Sequence, residues 1–341
     1  MDKSLQNKNP GRNRPNDDLL KGKSVLITGG TGSFGGRFVA RVLKDHSPKK
    51  VVVFSRDELK QSEMIKHFPD PRLRFLLGDI RDAHRLQRAF QGIDVVIHAA
   101  ALKQVPALEY NPFEAVQTNI IGAENIINAA IDQGVEHVVA LSTDKAVNPV
   151  NLYGATKLCM EKLFIAGNSY SAGRKTRFSA VRYGNVVGSR GSVVPLFLER
   201  RKSGELPVTD ARMTRFWITL DQGVDTVLFA LKNMHGGEIF VPKIPSMRIT
   251  DLAKAMAPEC KIKAVGIRPG EKLHETLLTE EESARASDAG SYYVVKPLFP
   301  WWDTTNWNGG KPVPAGFRYS SDSNTKWLDA KGLKAMVEPV S

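Results

Sequence analysis

Between residues 24 and 183 the chain alternates short β-branched runs with longer amphipathic stretches. The runs are SVLIT (24–28), KVVVF (50–54), LRFLL (73–77), DVVIH (94–98), HVVALS (137–142) and FSAVRY (178–183). They are nearly continuous in apolar residues, as strands buried on both faces must be. The stretches between them read as helices. One runs over 112–134, with proline near its start and glycine at its end. Strands alternating with helices predict an α/β fold, a Rossmann-type doubly wound parallel sheet. Beyond about 185 proline, glycine and charge increase and the elements shorten. Helices are expected at 221–233 and 250–257. This part predicts a smaller C-terminal substrate domain over the sheet's carboxyl edge, with return segments to the sheet. The division expected is therefore 1–20, a disordered polar tail; 21–184, the dinucleotide-binding part; and 185–341, mainly substrate binding.

Composition narrows the function classes. The 341 residues are 42% hydrophobic and 25% charged, ordinary for a globular chain. No apolar run approaches the roughly 18 residues of a membrane span, and residues 1–23 lack the apolar stretch of a signal peptide. The two cysteines, Cys159 and Cys260, have no metal-ligand spacing and make no disulfide framework. No metal is expected, and a cytoplasmic setting fits. The net charge of +12 suits nucleic acid, a membrane surface or small anionic ligands. No basic run is interleaved with aromatics, so anionic small molecules are preferred and neither nucleic acid nor membrane is expected as a partner.

The first run leads into TGGTGSFGGRF, where Gly29, Gly32 and Gly35 recur at every third position. Such a loop lets the backbone approach a pyrophosphate, and the following helix aims free N–H groups at it. Thr31, Ser33 and Phe34 complete the loop. The second run ends in Phe54-Ser55-Arg56-Asp57. An acid here would serve the ribose hydroxyl of NAD, whereas arginine accommodates the 2′-phosphate of NADP. Ser55 and Arg56, with Lys60 one turn on, favour NADP; Asp57 is the acid an NAD site would use. Asp79-Ile80 follows the third run, where an adenine pocket belongs, though an aspartate there also suits a helix cap. Ala99 follows the fourth.

The fifth run ends in Leu141-Ser142-Thr143-Asp144-Lys145, and Tyr153 and Lys157 follow at helical i, i+4 spacing. An ammonium beside a phenol favours phenolate, which makes tyrosine a base for a hydroxyl proton.

These residues resemble the extended short-chain dehydrogenase/reductases, and within them the inverting UDP-N-acetylglucosamine 4,6-dehydratases. The likeness rests on TGGTGSFG, SRDELKQ, HAAALKQVP, STDKAVNPVNLYGATK, RYGNVVGSRGSVVPLF, MTRFWITL, RPGEKLHE and GFRYSSD, in this order from about 22 to about 335. Retaining sugar 4,6-dehydratases carry Thr-Asp-Glu after the fifth strand; here the third position is Lys145. The resemblance implies Thr143, Asp144, Lys145, Tyr153 and Lys157 as catalytic residues. Tyr153 would take the C-4 hydroxyl proton while hydride passes to NADP. A neutral Lys145, its ammonium disfavoured by burial and by Lys157, would take the C-5 proton. Asp144 would protonate the departing C-6 hydroxyl, and the hydride would return to C-6. Lys103 would contact cofactor and substrate. Asn185, Arg268 and Glu271 would bind the sugar nucleotide, with Pro195, Thr209 and Tyr319 on the same side. The implied partner is UDP-N-acetylglucosamine, in pseudaminic acid or related deoxysugar biosynthesis, and the implied assembly is a homo-oligomer, dimer to hexamer. Trp217 and Trp301 read as packing residues.

Three rivals remain from the sequence alone. A retaining dehydratase or 4-epimerase shares the fold, but an epimerase has no use for an Asp-Lys pair. A non-catalytic NADP(H)-binding regulator would not need Tyr153 and Lys157. A nucleic-acid binder would show a salt-dependent gel shift.

Overall fold

The computed structural model describes residues 18–171, 173–189, 192–299 and 307–337. Strands β1 (Ser24–Thr28), β2 (Lys50–Ser55), β3 (Leu73–Leu77), β4 (Val95–His98), β5 (His137–Thr143) and β6 (Arg177–Tyr183) lie where the apolar runs predict. They pair in parallel in the order β3-β2-β1-β4-β5-β6. Every residue of β1 and of β4 is buried, the signature of strands with helices on both faces. The covering helices are α1 (Ser33–Asp45), α2 (Glu58–His67), α3 (Ala83–Ala89), α4 (Val105–Tyr110), α5 (Pro112–Val116), α6 (Gly122–Gln133) and α7 (Leu152–Tyr170). The carboxyl ends of β1 and β4 diverge to opposite sides of the sheet at this strand order, which makes the crevice where α/β folds bind ligands.

The sheet does not stop at β6. The strand Ile239–Pro242 pairs with it in parallel, and Tyr292–Val295, Ala286–Asp288 and Lys311–Pro312 extend it antiparallel. These four strands all come from the C-terminal part of the chain. The remaining C-terminal elements form smaller sheets, one of them joining Asn185–Val186, Thr214–Ile218 and Ser246–Arg248. They close a second core in which Trp217 is fully buried with Phe197, Leu206 and Leu252. The expected helices at 221–233 and 250–257 are Leu220–Asn233 and Ile249–Met256.

Two expectations change. The polar composition predicts a tail over 1–20, but residues 18–20 belong to the folded body. Leu20 is 1% exposed in the main core, and Asp18 accepts hydrogen bonds from His46 Nδ1 (2.8 Å) and Ser47 N (2.8 Å). Burying one leucine and capping one loop end outweigh a polar local composition. Residues 1–17 and Trp301 lie outside the described residues. The single helix expected at 112–134 is α5 and α6 joined by a π-helical turn, Gln117–Ile121. That turn aims Asn119 inward, where its amide bonds both Leu102 N and Leu102 O (2.9 Å each) and Thr156 Oγ1 (3.0 Å). Glycine ends α6 as expected, Gly134 being left-handed at φ +70°.

Candidate active site

The cleft at the strands' carboxyl ends has a volume of about 650 Å³. At its floor the glycine loop is held open by geometry. Gly29 sits at φ +67°, and a Cβ there would lie 2.9 Å from Ala100 Cα. A Cβ on Gly35 would run into the backbone of Gly30, so this glycine sets how closely α1 meets the turn. Gly32 caps α1 without a side-chain bond. The helix N-terminus is thus left to offer its N–H groups to an anion. Buried polar atoms with no hydrogen-bond partner among the described residues also line the cleft: Thr118 Oγ1, Ser142 Oγ and Asn185 Oδ1. A dinucleotide fits this cradle, with Thr31, Ser33, Phe34 and Ala99 along its wall.

At the adenosine end Ser55, Arg56, Asp57, Lys60, Asp79 and Ile80 line the same cleft. Asp57 is the N-cap of α2, accepting from Lys60 N (3.0 Å), and its carboxylate pairs with the Lys60 ammonium. It is therefore engaged locally. Arg56 has a half-exposed side chain 3.4 Å from Asp79. The helix cap considered for Asp79 is taken by Asp82 instead; Asp79 accepts from Arg81 N and pairs with Arg81.

The catalytic candidates converge at the other end. Thr143, Lys145, Tyr153 and Lys157 line the cleft, with Asp144 fully buried beneath. Thr143 Oγ1 donates to Asp144 Oδ1 (2.8 Å), and Lys145 Nζ lies 3.0 Å from the same oxygen. Burial pushes the Tyr153 phenol up to about 12, with Asp144 adding to the rise; Lys145 and a hydrogen bond with Thr143 pull it back.

Two electrostatic expectations are corrected here. The i, i+4 spacing makes Lys157 the cation beside Tyr153. Its Nζ is instead 3.0 Å from Met160 Sδ, and burial lowers its pKa to about 8. Lys145 is the cation that acts on the phenol. The family resemblance implies a neutral Lys145. Burial does push it down, but Asp144 and Glu275 push it further up, so it is an ammonium in this structure.

On the substrate side, Lys103 and Asn185 line the cleft. The protein around the Lys103 ammonium, together with Lys145, lowers its pKa. Pro195, Thr209, Arg268 and Glu271 do not line it. Pro195 is exposed, Thr209 Oγ1 donates to Met213 Sδ, and Arg268 Nη1 is 3.8 Å from Glu271. The Tyr319 assignment is overturned. Its ring packs on Phe216 in the core, and its hydroxyl donates to Ile244 O (2.8 Å) and accepts from Ile244 N (2.9 Å), which leaves it nothing for a ligand. Two residues of the site escape sequence reading. His98, 1% exposed, meets Thr28 Oγ1 through Nδ1 (2.9 Å), and burial lowers it to about 3, so it is neutral. Glu275 stands 3.7 Å from Lys145 Nζ. It ends the RPGEKLHE segment, but nothing local marks it as a neighbour of residue 145.

Residues 25–297 match the family described as Polysaccharide biosynthesis protein. Over 328 residues the chain is 51% identical to an inverting UDP-N-acetylglucosamine 4,6-dehydratase of Campylobacter jejuni, covering 94% of this chain and 98% of that one. It is 46% identical to a UDP-glucose 4-epimerase of Rickettsia akari, over 80% and 82% of the two chains. Among solved structures, Pen from Bacillus thuringiensis superposes with a TM-score of 0.87 at 40% identity, covering 94% of this chain and 98% of that one. DesIV, a dTDP-glucose 4,6-dehydratase from Streptomyces venezuelae solved with NAD, superposes with a TM-score of 0.66 at 25% identity, over 73% and 86%. With its parallel sheet, its glycine cradle and its Tyr153–Lys157 helix, the chain belongs to the polysaccharide biosynthesis protein family, on the short-chain dehydrogenase/reductase fold of nucleotide-sugar dehydratases and epimerases.

Proposed function

We propose that this protein is a UDP-N-acetylglucosamine 4,6-dehydratase that inverts C-5. The observation that carries this reading is the Asp144–Lys145 pair set beside Tyr153 in the cofactor cleft. A 4-epimerase needs a tyrosine and a nicotinamide, but has no elimination for an acid and a base to perform. The 51% identity to an inverting dehydratase over nearly the whole chain supports the same reading.

A nicotinamide held over the glycine cradle beside Tyr153 and Lys157 would supply a reversible hydride acceptor for C-4 and donor for C-6, so no outside reductant would be consumed. The side chains move the protons. Tyr153 takes the C-4 hydroxyl proton, its phenolate favoured by the Lys145 ammonium and by Thr143. The C-4 ketone then acidifies C-5. A proton shift from Lys145 Nζ to Asp144 Oδ1, 3.0 Å apart, creates a neutral amine and a carboxylic acid together. Lys145 removes the C-5 proton, and Asp144 protonates the C-6 oxygen as it leaves in water. When hydride returns to C-6, C-5 takes a solvent-exchangeable proton on its opposite face, and the proton count closes as Tyr153 gives up the one it took from the C-4 hydroxyl. Lys103 and Asn185, which line the cleft, contact the sugar.

The test is NMR of the purified protein with UDP-N-acetylglucosamine in deuterium oxide. The expected product is a 4-keto-6-deoxy sugar with deuterium at C-5 and the L-arabino configuration. Retained configuration at C-5 refutes inversion. A C-4 epimer with no loss of water returns the protein to the epimerases, the reading that the Rickettsia relative favours.

The cofactor preferred is NADP. Arg56 offers its guanidinium at the ribose end while Asp57 is occupied by α2 and Lys60. Residues 21–184 hold the cofactor, and 185–341 mainly bind the nucleotide sugar while contributing four strands to the cofactor sheet. The protein works as a homo-oligomer in the cytoplasm, supplying pseudaminic acid or a related deoxysugar pathway. Both cysteines are free, and among the described residues no helix is long and apolar enough to cross a membrane.

A further inference from the structure

Beneath Lys145 lies a second carboxylate, carried by the C-terminal half. Glu275 is 2% exposed. Its Oε1 is 3.7 Å from Lys145 Nζ and 3.8 Å from Arg215 Nε, and its Oε2 is 3.5 Å from Lys272 Nζ. Oε2 has no hydrogen-bond partner among the described residues. The backbone on either side is fixed: Glu275 N donates to Ser321 Oγ (2.9 Å), and Glu275 O accepts from Ser321 N (2.8 Å) and Ser320 Oγ (3.2 Å). The loop before it is braced to the catalytic segment. Lys272 Nζ donates to Val147 O, and Asn151 Nδ2 donates to Gly270 O (2.7 Å).

A buried carboxylate held by its backbone and not used for a hydrogen bond acts mainly through its charge. We propose that Glu275 is a positioning residue for Lys145: with Asp144 it holds the ammonium in the site while Tyr153 ionises, and it sets how readily the proton then passes to Asp144. This rests on the dehydratase reading above. The charged groups that face Glu275 are Lys145 and Asp144 from the turn after β5, Arg215 from the strand Thr214–Ile218, and Lys272 from its own segment. His274 and Asp322 flank it through Thr214 and Ser321. Removing the charge of Glu275 weakens the hold on the Lys145 proton. Of the two steps, the first keeps its cation, because Asp144 still holds Lys145 as an ammonium at neutral pH. The second responds: the proton shift to Asp144 becomes easier, so removal of the C-5 proton proceeds at lower pH.

The experiment measures both steps in the intact protein with NADP+ and UDP-N-acetylglucosamine. Single-turnover NADPH absorbance reports the first, and deuterium incorporation at C-5 the second. Glu275→Gln is expected to raise C-5 exchange per NADPH formed by about tenfold at neutral pH, the equivalent of one pKa unit. Glu275→Asp, which keeps the charge, is expected to restore the wild-type ratio. Should Glu275→Gln not fold, Lys272→Gln tests the same idea with the opposite sign. It leaves Glu275 fewer cations to share, so the ratio falls. Normal dehydration by the wild type with an unchanged ratio in Glu275→Gln, or in Lys272→Gln where that is the variant tested, overturns this proposal alone. A wild type that forms no 4-keto-6-deoxy sugar overturns the dehydratase reading and this proposal with it.

Discussion

Replacing Gly154 with alanine tests how far catalysis depends on the approach of α7 to the turn that carries Asp144 and Lys145. A Cβ at this position would lie 3.0 Å from both the carbonyl carbon of Lys145 and Cβ of Pro149, and closer still to the carbonyl oxygen of Lys145. Carbon atoms settle at about 3.5–4.0 Å. The first turn of α7 must therefore back away by roughly 0.5–1 Å, because the obstacle is backbone and cannot rotate aside. Tyr153 is the next residue, and it moves with the turn, away from Thr143 and Lys145. A displacement of about 1 Å at reacting groups costs on the order of a hundredfold in rate. Stability changes less. Overpacking costs about 1–3 kcal/mol, offset by about 1 kcal/mol of helix propensity. The expected outcome is a folded protein, within a few degrees of the wild-type melting temperature, whose kcat for dehydration falls about a hundredfold while NADP+ affinity changes little. Product formation followed by NMR and affinity by calorimetry would check it. Activity within about threefold of wild type would show that the close contact between α7 and the turn does not matter.

Arg56→Asp is expected to weaken NADP+ by about ten- to a hundredfold, one charge-assisted contact, and NAD+ far less; equal losses by calorimetry would remove Arg56 from cofactor choice. Lys145→Ala should form NADPH more slowly, since Tyr153 loses its cation, yet let it accumulate in a single turnover because C-5 exchange stops; normal turnover would assign the base elsewhere. Lys157→Met concerns stability in the cofactor-free protein. On folding, burial lowers the Lys157 pKa from its ordinary 10.5 to about 8. The unfolded chain therefore binds the proton more tightly between those values, and the folded state carries the full penalty below about pH 8, losing it as pH rises toward 10.5. Urea unfolding should show the methionine variant gaining up to about 3 kcal/mol on wild type at pH 7, and much less at pH 10. A difference independent of pH would refute the buried-charge argument.

Much of the sheet is legible because its strands are apolar on both faces. Runs such as SVLIT and DVVIH have no helical alternative of adequate length, and they reappear as β1 and β4. The glycine cradle and the Tyr153–Lys157 face are legible because each is encoded within one turn or one loop. What sequence reading misses is long-range. The state of Lys145 depends on Glu275, 130 positions away, and no local pattern announces that contact. Tyr319 sits in an aromatic, turn-rich segment that suggests a ligand loop, yet the ring finds better burial against Phe216. The π-helical turn at 117–121 has ordinary helical composition; it is imposed by Asn119 reaching Leu102 and Thr156. Leu20 reads as tail because its neighbours are polar, although a single apolar residue suffices to anchor a chain end.

The pairing of Ile239–Pro242 with β6 bears on how this protein can be taken apart. A fragment ending near residue 184 would hold the cofactor cradle and the catalytic helix, yet β6 would become a raw edge. That strand is covered on both faces, with six of its seven residues buried, and its unpaired backbone would template aggregation. The cofactor half is thus not a portable module. A chimera that exchanges the sugar-binding half for that of a relative must carry Ile239–Pro242 and the three strands beyond it as part of the cofactor sheet, and splice only the segments that cover the cleft.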